Sequence, residues 1–288
     1  MNSPVVGPAR EGDIMVDTRA VAGRTVCITG ASSGIGRAIA EHLGRLGAHV
    51  FMMGRTTEPM AASARLIEAA GGRATVDTFD VTDSERLGRW ITGAAETTGR
   101  LDVLVNNAGF GDPDSLVDGD PDSWKAMLEV NVLALAVGCQ AAVRAMRSTD
   151  SEGNIINISS TATLRRDSGM YGATKYAVNC LNGTLREELQ DDKIRVTVIK
   201  PGVFATNFTR NIDREMVVGL AVAVGVDQPE FDDQGRMPQA QIDRVQAAMS
   251  TTIGDVDHIA RAVEYVVSQP IEINVEELVI RPQKSLIV

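Results

Sequence analysis

The feature that most constrains this fold is a regular alternation of short apolar runs with longer segments of helical periodicity. The apolar run RTVCITG precedes GRAIAEHLGRLG, where apolar residues recur at helical spacing, and HVFMMG precedes PMAASARLIEAAG in the same way. The alternation continues through ATVDTFDV, a predicted strand that ends at Val81, and a helix with Asp83 as its candidate N-cap. It ends at a last apolar run, EELVIRP. Strands that are apolar on both faces and are each followed by a helix form a parallel sheet covered on both sides. The sequence therefore predicts an α/β fold, a doubly wound parallel sheet of about seven strands in one domain.

Composition and charge exclude several classes of function. The chain has 288 residues, of which 44% are hydrophobic, enough for one large core. Its formal net charge of −10 argues against a nucleic-acid partner, because nucleic-acid binding usually needs a basic surface. The three cysteines lie apart in apolar runs and fit neither a disulfide framework nor zinc spacing. We therefore expect no metal site, buried reduced thiols and a cytoplasmic location.

Three segments bear on domain organisation and membrane contact. Residues 1–18 are rich in Gly, Pro and polar residues without the hydrophobic core of a signal peptide, which predicts a flexible tail before a domain at 19–288. No apolar run approaches the length that spans a bilayer, so no membrane partner is expected. Residues 204–250 interrupt the alternation, and so long a connection in a compact domain is usually functional or mobile.

A glycine-rich turn, TGASSGIG, joins the first predicted strand to the first predicted helix. Gly30, Gly34 and Gly36 leave out side chains where a phosphate must approach the backbone. The helix that follows presents free N–H groups and the positive end of its dipole to an anion. A tight turn uses glycine as well, but the position at the first strand-to-helix junction of an α/β chain favours dinucleotide binding.

Tyr171 and Lys175 stand four residues apart in a predicted helix and so share one of its faces. Tyr176 points to another face and is expected to pack. Transfer of a hydride to a carbonyl produces an alkoxide that needs a proton, and a tyrosine can supply it. At an effective dielectric of 20, two charges about 4 Å apart interact by about 4 kcal/mol. A nearby ammonium is therefore expected to lower the tyrosine pKa from its usual value near 10 toward a working pH.

Further motifs follow in order along the chain. The turn reads G-x-x-x-G-x-G after Thr29, NNAG follows the fourth strand, NISS ends the fifth, YGATK begins the next helix, and PG precedes Thr206. Together they resemble the short-chain dehydrogenase/reductase family over roughly residues 22–282. The resemblance implies a Rossmann fold and an NAD(P)(H)-dependent oxidoreductase that interconverts a secondary alcohol and a ketone.

The resemblance also assigns catalytic roles. Tyr171 is the proton donor and acceptor, and Lys175 lowers its pKa and hydrogen-bonds the nicotinamide ribose. Ser160 holds the substrate oxygen, with Ser159 a weaker candidate, and Asn131 positions a water beside Lys175. Each has a structural alternative: Ser160 as a cap of the chain end and Asn131 as an exposed helix residue.

Cofactor contacts are implied along the same edge of the sheet. They fall on Gly30, Ser32, Ser33, Gly34, Ile35, Gly36, Arg55, Asp80, Val81, Asn107, Ala108, Gly109, Tyr171, Lys175, Pro201, Gly202, Val203 and Thr206. Arg55 follows the second strand where NAD-specific relatives carry an acid, so NADP(H) is favoured. A solvated Arg55, and Ser33 in place of a basic residue common in NADP-preferring relatives, keep NAD(H) possible. Asp80 has an alternative as a helix N-cap.

Substrate and partners are less determined. The resemblance makes 204–250 a substrate lid and makes helices 121–147 and 171–190 the subunit contacts of a homodimer or homotetramer. INVEELVIRP resembles the serine 3-dehydrogenase and 3-hydroxy acid dehydrogenase subgroup. Arg165 and Arg166 are candidates for binding a substrate carboxylate, although surface arginines are the favoured interpretation. Two alternatives remain: NAD-dependent oxidation of an amino or aryl alcohol, and a nucleotide-binding redox sensor without turnover.

Overall fold

The computed structural model describes residues 21–112, 115–204, 206, 218–219, 222, 229–231 and 237–284. The predicted tail at 1–18 and most of the predicted lid at 204–250 lie outside the described residues. That residues 19–288 form one domain stays a prediction.

A seven-stranded sheet forms the centre of the described part of the chain. All of its neighbouring strands run parallel, in the order β3-β2-β1-β4-β5-β6-β7. The strands are β1 (Thr25–Thr29), β2 (His49–Gly54), β3 (Arg73–Thr78), β4 (Val103–Asn106), β5 (Gly153–Ile158), β6 (Ile194–Pro201) and β7 (Glu277–Ile280). The order reverses between β1 and β4, and a parallel sheet opens a crevice at its carboxyl edge at such a point. The predicted doubly wound fold is confirmed.

Helices cover both faces of this sheet. They are α1 (Gly34–Arg45), α2 (Thr57–Ala69), α3 (Ser84–Thr98), α4 (Pro121–Leu128), α5 (Ala134–Ser148), α6 (Gly169–Glu188), α7 (Gln239–Ala248) and α8 (Asp257–Ser268). A π-helical turn (Glu129–Leu133) joins α4 to α5, and a short 3₁₀ helix (Thr161–Leu164) precedes α6. Side chains of α1, α2 and α8 bury one face of the sheet, and side chains of α3, α5 and α6 bury the other.

Helix ends follow their capping residues. The carboxylate of Asp83 accepts a hydrogen bond from the Arg86 backbone N at 3.0 Å, so Asp83 caps α3 as predicted. Asp120 caps α4 in the same way, so this helix begins at Pro121, where the sequence predicts it. The strand predicted through Val81 ends earlier, at Thr78.

Two predictions from composition need correction. α4, the π-helical turn and α5 form one 28-residue helix, Pro121–Ser148, that is long and apolar enough to cross a membrane by length and composition. Half of its most apolar window is buried against the fold, as in the core helix of a globular domain. The absence of a membrane partner stays a prediction. Cys27 and Cys139 are buried as expected, whereas Cys180 is exposed.

Candidate active site

The glycine-rich turn leaves the end of β1 and passes close to the loop after β4. Gly30 and Gly34 have φ of 66° and 55°, a conformation that side chains with a Cβ rarely adopt. A Cβ on Gly30 would lie 2.9 Å from the Ala108 Cα, and one on Gly36 would lie 2.5 Å from the Gly30 carbonyl oxygen. The turn can therefore take this path only with glycine at these positions.

Hydrogen bonds tie that turn to the loop after β4. The Thr29 hydroxyl oxygen accepts from the backbone N of Asn107 and of Ala108, each at 3.0 Å. The Asn107 Nδ2 donates to the carbonyl oxygens of Thr29 at 2.9 Å and Gly30 at 3.1 Å. Asn107 and Ala108, predicted as cofactor contacts, thus hold the glycine-rich turn in place through these hydrogen bonds.

The N-terminus of α1 faces outward from this turn. Its N-cap, Ser33, is extended, makes no side-chain capping bond in the described structure, and is followed by no acidic residue in the first turn. Backbone N–H groups at a helix start without such partners, together with the helix dipole, favour an anion. A Cβ on Gly34 would lie 3.1 Å from the Thr206 Cγ2, so Thr206 lies beside the turn. The pyrophosphate of a dinucleotide fits this cradle.

The ends of β2 and β3 lie beside the same turn. A Cβ on Gly54 would stand 3.2 Å from the Ser32 Oγ, and the exposed Arg55 follows directly. Burial opposes ionisation of Asp80, but hydrogen bonds from Thr82 and the charge of Arg55 together hold its pKa below the usual range. Asp80 is therefore a carboxylate in an Asx turn rather than the cap of α3.

The other predicted cofactor residues occupy three settings. Val81 is buried in the core on one face of the sheet, and Ile35 packs against the core on the other face. Gly202 donates its N–H to the Ile280 carbonyl oxygen at 2.7 Å, which attaches the end of β6 to β7. Pro201 is buried, whereas Val203 is exposed.

Ser160 and Tyr171 meet across the carboxyl edge of the sheet. Their side chains are hydrogen-bonded to each other. The Ser160 Oγ also accepts from the Ala162 backbone N at 3.1 Å, so this residue both caps the 3₁₀ helix and contacts the tyrosine. Ser159 is buried and its Oγ donates to the Asn179 Oδ1 at 2.8 Å. The structure thus brings Ser160, and not Ser159, to Tyr171.

Lys175 lies beneath Tyr171 on α6 and is only 4% exposed. Its Nζ donates to the Ile158 carbonyl oxygen at 2.9 Å and lies 5.9 Å from the centre of the tyrosine ring. Burial lowers the pKa of Lys175 from 10.5 to about 8. Burial also raises the pKa of Tyr171 from 10.0 to about 12, and the hydrogen bond with Ser160 offsets this only in part.

The expectation that Lys175 depresses the Tyr171 pKa is therefore wrong for the ligand-free protein. Removal of water disfavours the phenolate by more than the neighbouring groups favour it.

Asn131 lies in the π-helical turn and is 1% exposed. Its Oδ1 accepts from the Phe110 backbone N at 3.0 Å, and its Nδ2 donates to the Phe110 carbonyl oxygen at 2.8 Å. The same Nδ2 donates to the Thr174 Oγ1 at 3.0 Å. A Cβ on Gly109 would stand 3.0 Å from the Asn131 Oδ1 and 3.4 Å from the Lys175 Nζ. Because Gly109 has no side chain, the Asn131 Oδ1 and the Lys175 Nζ can both lie close to its backbone. Asn131 is therefore a buried site residue and not an exposed helix residue.

Sequence reasoning missed Thr174 and misplaced Tyr176. Thr174, which lies between Tyr171 and Lys175 in the sequence, is fully buried. The sequence indicated it only as a small polar residue on the inner face of a helix. Tyr176, expected to pack, is 51% exposed. Arg165 forms a two-pronged ion pair with Asp167 at 2.9 Å, and Arg166 is exposed, which agrees with surface arginines. Among the described residues, no group of three or more His, Cys, Asp or Glu is placed to hold a metal ion.

Fold and site together define a nucleotide-binding α/β protein of the Rossmann type. A family model described as short chain dehydrogenase matches residues 24–217. The chain belongs to the short-chain dehydrogenase/reductase family and is an oxidoreductase.

Two relatives illustrate the similarity over nearly the full length. An uncharacterized oxidoreductase of Staphylococcus saprophyticus is 31% identical over 263 residues, covering 90% of this chain and 97% of that protein. Human dehydrogenase/reductase SDR family member 11 is 30% identical over 275 residues, covering 91% and 95%.

Solved structures match as well. A metagenomic short-chain oxidoreductase in complex with NADP aligns with a TM-score of 0.68 at 31% identity, covering 91% of this chain and 98% of that one. An alcohol dehydrogenase of the archaeon Thermococcus sibiricus, complexed with 5-hydroxy-NADP, aligns with a TM-score of 0.72 at 25% identity and the same coverage. These similarities support a nucleotide cofactor, with NADP favoured. The subgroup suggested by the C-terminal strand stays a prediction.

Proposed function

We propose that this protein is an NADP(H)-dependent oxidoreductase that interconverts a secondary alcohol and a ketone, with Tyr171 as the general acid and base. The observation that carries the proposal is the Ser160–Tyr171 hydrogen bond above a buried Lys175. These groups lie at the carboxyl edge of a sheet whose first turn is shaped for a dinucleotide. Such an edge is where open α/β sheets bind ligands.

The chain's own residues fit that cofactor in three places. The turn from Gly30 to Gly36 and the start of α1 would hold its pyrophosphate, and Arg55 with Ser32 would hold a 2′-phosphate. Lys175 would bind the nicotinamide ribose. When bound, the nicotinamide supplies or accepts the hydride at the substrate carbon.

Protons move through the protein's side chains. In ketone reduction, the Tyr171 hydroxyl donates its proton to the substrate oxygen as negative charge develops there. Ser160 donates a hydrogen bond to the same oxygen and so stabilises that charge. Lys175 and Asn131, which both lie next to Gly109, return a proton to Tyr171 through a water. In alcohol oxidation the phenolate of Tyr171 accepts the proton instead.

Turnover is tested in both directions: NADPH with aryl ketones and with the ketones derived from hydroxy acids, and NADP⁺ with hydroxy acids and amino alcohols. We expect oxidation of NADPH with at least one ketone, reduced at least a thousandfold in Tyr171→Phe. Tyr176→Phe is the matched control, since it removes a hydroxyl from an exposed tyrosine on the same helix, and should keep wild-type activity. Tight NADPH binding without turnover on the whole panel would instead favour the redox sensor.

Cofactor preference is tested separately. We expect kcat/KM with NADPH to exceed that with NADH by about tenfold or more, because Arg55 can pair with the 2′-phosphate. Arg55→Ala should remove most of this preference. Arg73→Ala removes an exposed arginine at the amino end of β3, whereas Arg55 follows the carboxyl end of β2. It should leave the cofactor preference unchanged. A wild-type preference for NADH, unaltered in Arg55→Ala, would favour the NAD-dependent alternative.

Oligomerisation follows from the surface of the long helices. Leu133 is 54% exposed and Tyr176 is 51% exposed, and both lie on helices predicted to join subunits. Exposed apolar side chains of this size favour burial against a second copy. We expect a homodimer or homotetramer by light scattering, with Leu133→Lys shifting it to a smaller species.

A further inference from the structure

A threonine between the tyrosine and the lysine has no part in the mechanism above. Thr174 is fully buried, and its hydroxyl makes two hydrogen bonds. Its Oγ1 donates to the Tyr171 carbonyl oxygen at 2.7 Å and accepts from the Asn131 Nδ2 at 3.0 Å. One hydroxyl thus joins the helix that carries the tyrosine to the π-helical turn that carries Asn131.

The chemistry of a hydroxyl makes this contact directional. Oγ1 has a single hydrogen, and that hydrogen is given to a carbonyl oxygen that can only accept. The lone pairs of Oγ1 are then left for Asn131, whose Nδ2 must face them. The Asn131 Oδ1 is consequently left to accept from the Phe110 N–H. On that side it lies next to Gly109, which the Lys175 Nζ also approaches.

We propose that Thr174 is a positioning residue that clamps the π-helical turn onto α6 and so fixes Asn131 and the loop at 109–110 beside Lys175. Its effect on catalysis rests on the function proposed above, whereas its effect on the position of Asn131 does not. A π-helical turn inside a longer helix is a local departure that often marks a functional position. Here the hydrogen bonds of Asn131 to Phe110 and to Thr174 hold the π-helical turn in place.

The test compares three variants. Thr174→Val keeps the shape of the side chain but removes both hydrogen bonds, and Thr174→Ser restores the hydroxyl without the methyl. Thr184→Val is the matched control, because Thr184 is exposed on the same helix and its Oγ1 donates to the Cys180 carbonyl oxygen at 3.3 Å. It removes a comparable bond within the helix without touching the site.

Kinetics give the first readout. We expect Thr174→Val to lower kcat about tenfold, as for the loss of one buried hydrogen bond partner, with KM for NADPH changed less than about twofold. Thr174→Ser should recover most of kcat, and Thr184→Val should match wild type. In an Asn131→Ala background, Thr174→Val should lower kcat much less, because the two residues act as a unit.

Hydrogen exchange of the ligand-free protein gives a readout independent of turnover. The Phe110 amide is held by the Asn131 Oδ1, so it should exchange faster in Thr174→Val and at wild-type rate in Thr174→Ser and Thr184→Val. If wild type turns over nothing but this pattern is found, the proposed function fails and the positioning role stands.

Three results would overturn the inference. The first is unchanged exchange at Phe110 in Thr174→Val. The second is a Thr174→Ser variant as impaired as Thr174→Val, which would make the methyl group and its packing responsible. The third is a kcat loss that is fully additive with Asn131→Ala. If Thr174→Val does not fold, Thr174→Ala is measured against Thr174→Ser with the same criteria.

Discussion

Replacing Lys175 with methionine should make the ligand-free protein more stable while it abolishes turnover. The lysine is nearly fully buried, and burial lowers its pKa from 10.5 to about 8. At pH 7 it is protonated, so the folded protein keeps an ammonium away from water. Methionine has a similar length and an apolar end, so Lys175→Met removes the charge without leaving a large cavity.

The size of the effect follows from the pKa. Since each pKa unit corresponds to about 1.4 kcal/mol, burial of the ammonium costs about 3 kcal/mol at neutral pH. Loss of the bond from Nζ to the Ile158 carbonyl oxygen offsets about 1 kcal/mol of this. We therefore expect Lys175→Met to raise the free energy of unfolding by about 2 kcal/mol at pH 7.

The sign of the pH dependence is a stricter test. Because the folded pKa lies below the unfolded pKa, the unfolded chain binds more protons between pH 8 and pH 10.5. Wild-type stability should therefore rise with pH through this window, and the advantage of Lys175→Met should shrink toward zero near pH 10. Tyr171, with a pKa of about 12, titrates above this range.

Urea unfolding at pH 7 and pH 10 measures both effects. Lys193→Met is the matched control, since the Lys193 side chain is 61% exposed and its Nζ lies 3.6 Å from an Asp150 carboxylate oxygen. It should leave stability within about 0.5 kcal/mol of wild type at both pH values. If Lys175→Met is less stable than wild type at pH 7, or shows the same rise with pH, the reasoning from burial is wrong.

Three further predictions test the turn, the serine and the tyrosine. Gly36→Ala should lower the free energy of unfolding by about 1 to 3 kcal/mol and weaken NADPH binding at least tenfold in a fluorescence titration, whereas Gly93→Ala, with nothing within 4 Å, should be neutral or stabilising. Ser160→Ala should lower kcat by about a hundredfold, whereas Ser159→Ala should mainly lower stability, by about 1 kcal/mol in urea unfolding. With Tyr171 protonated across the neutral range, ketone reduction should stay flat from about pH 6 to 7.5 while alcohol oxidation rises about tenfold per pH unit.

The topology was predictable because buried parallel strands have a distinctive composition. Runs such as RTVCITG are apolar on both faces, and each is followed by a helix with one apolar face. Strand ends were less predictable, since a strand continues only as far as its neighbour does. β3 stops at Thr78 because its last partner, Gly54, is the end of β2. Nothing within FDV itself indicates where that neighbouring strand ends.

The catalytic group was recognisable from the order of its motifs, whereas the contacts that support it were not. Ser160 ends the NISS motif after β5 and Tyr171 begins the YGATK motif, and the resemblance to the family assigned both from that order. Thr174 gains its role from Asn131, which lies 43 residues earlier in the chain. The position of Asn131 depends on the π-helical turn, and the hydrophobic pattern of Pro121–Ser148 does not indicate that turn. Long-range hydrogen bonds of this kind become visible only once the helices are packed.

The Tyr171–Lys175 pair shows why spacing alone predicted the wrong direction for a pKa. The sequence argument counted the attraction between a phenolate and an ammonium about 4 Å apart at an effective dielectric of 20, but it left out the cost of removing both groups from water. In the fold, Nζ lies 5.9 Å from the ring centre, and burial raises the pKa of the tyrosine as it lowers that of the lysine. Both shifts disfavour charge, so the ligand-free pair favours a protonated tyrosine. Such a tyrosine is ready to donate a proton to a substrate oxygen, whereas it accepts one only when another group stabilises its anion.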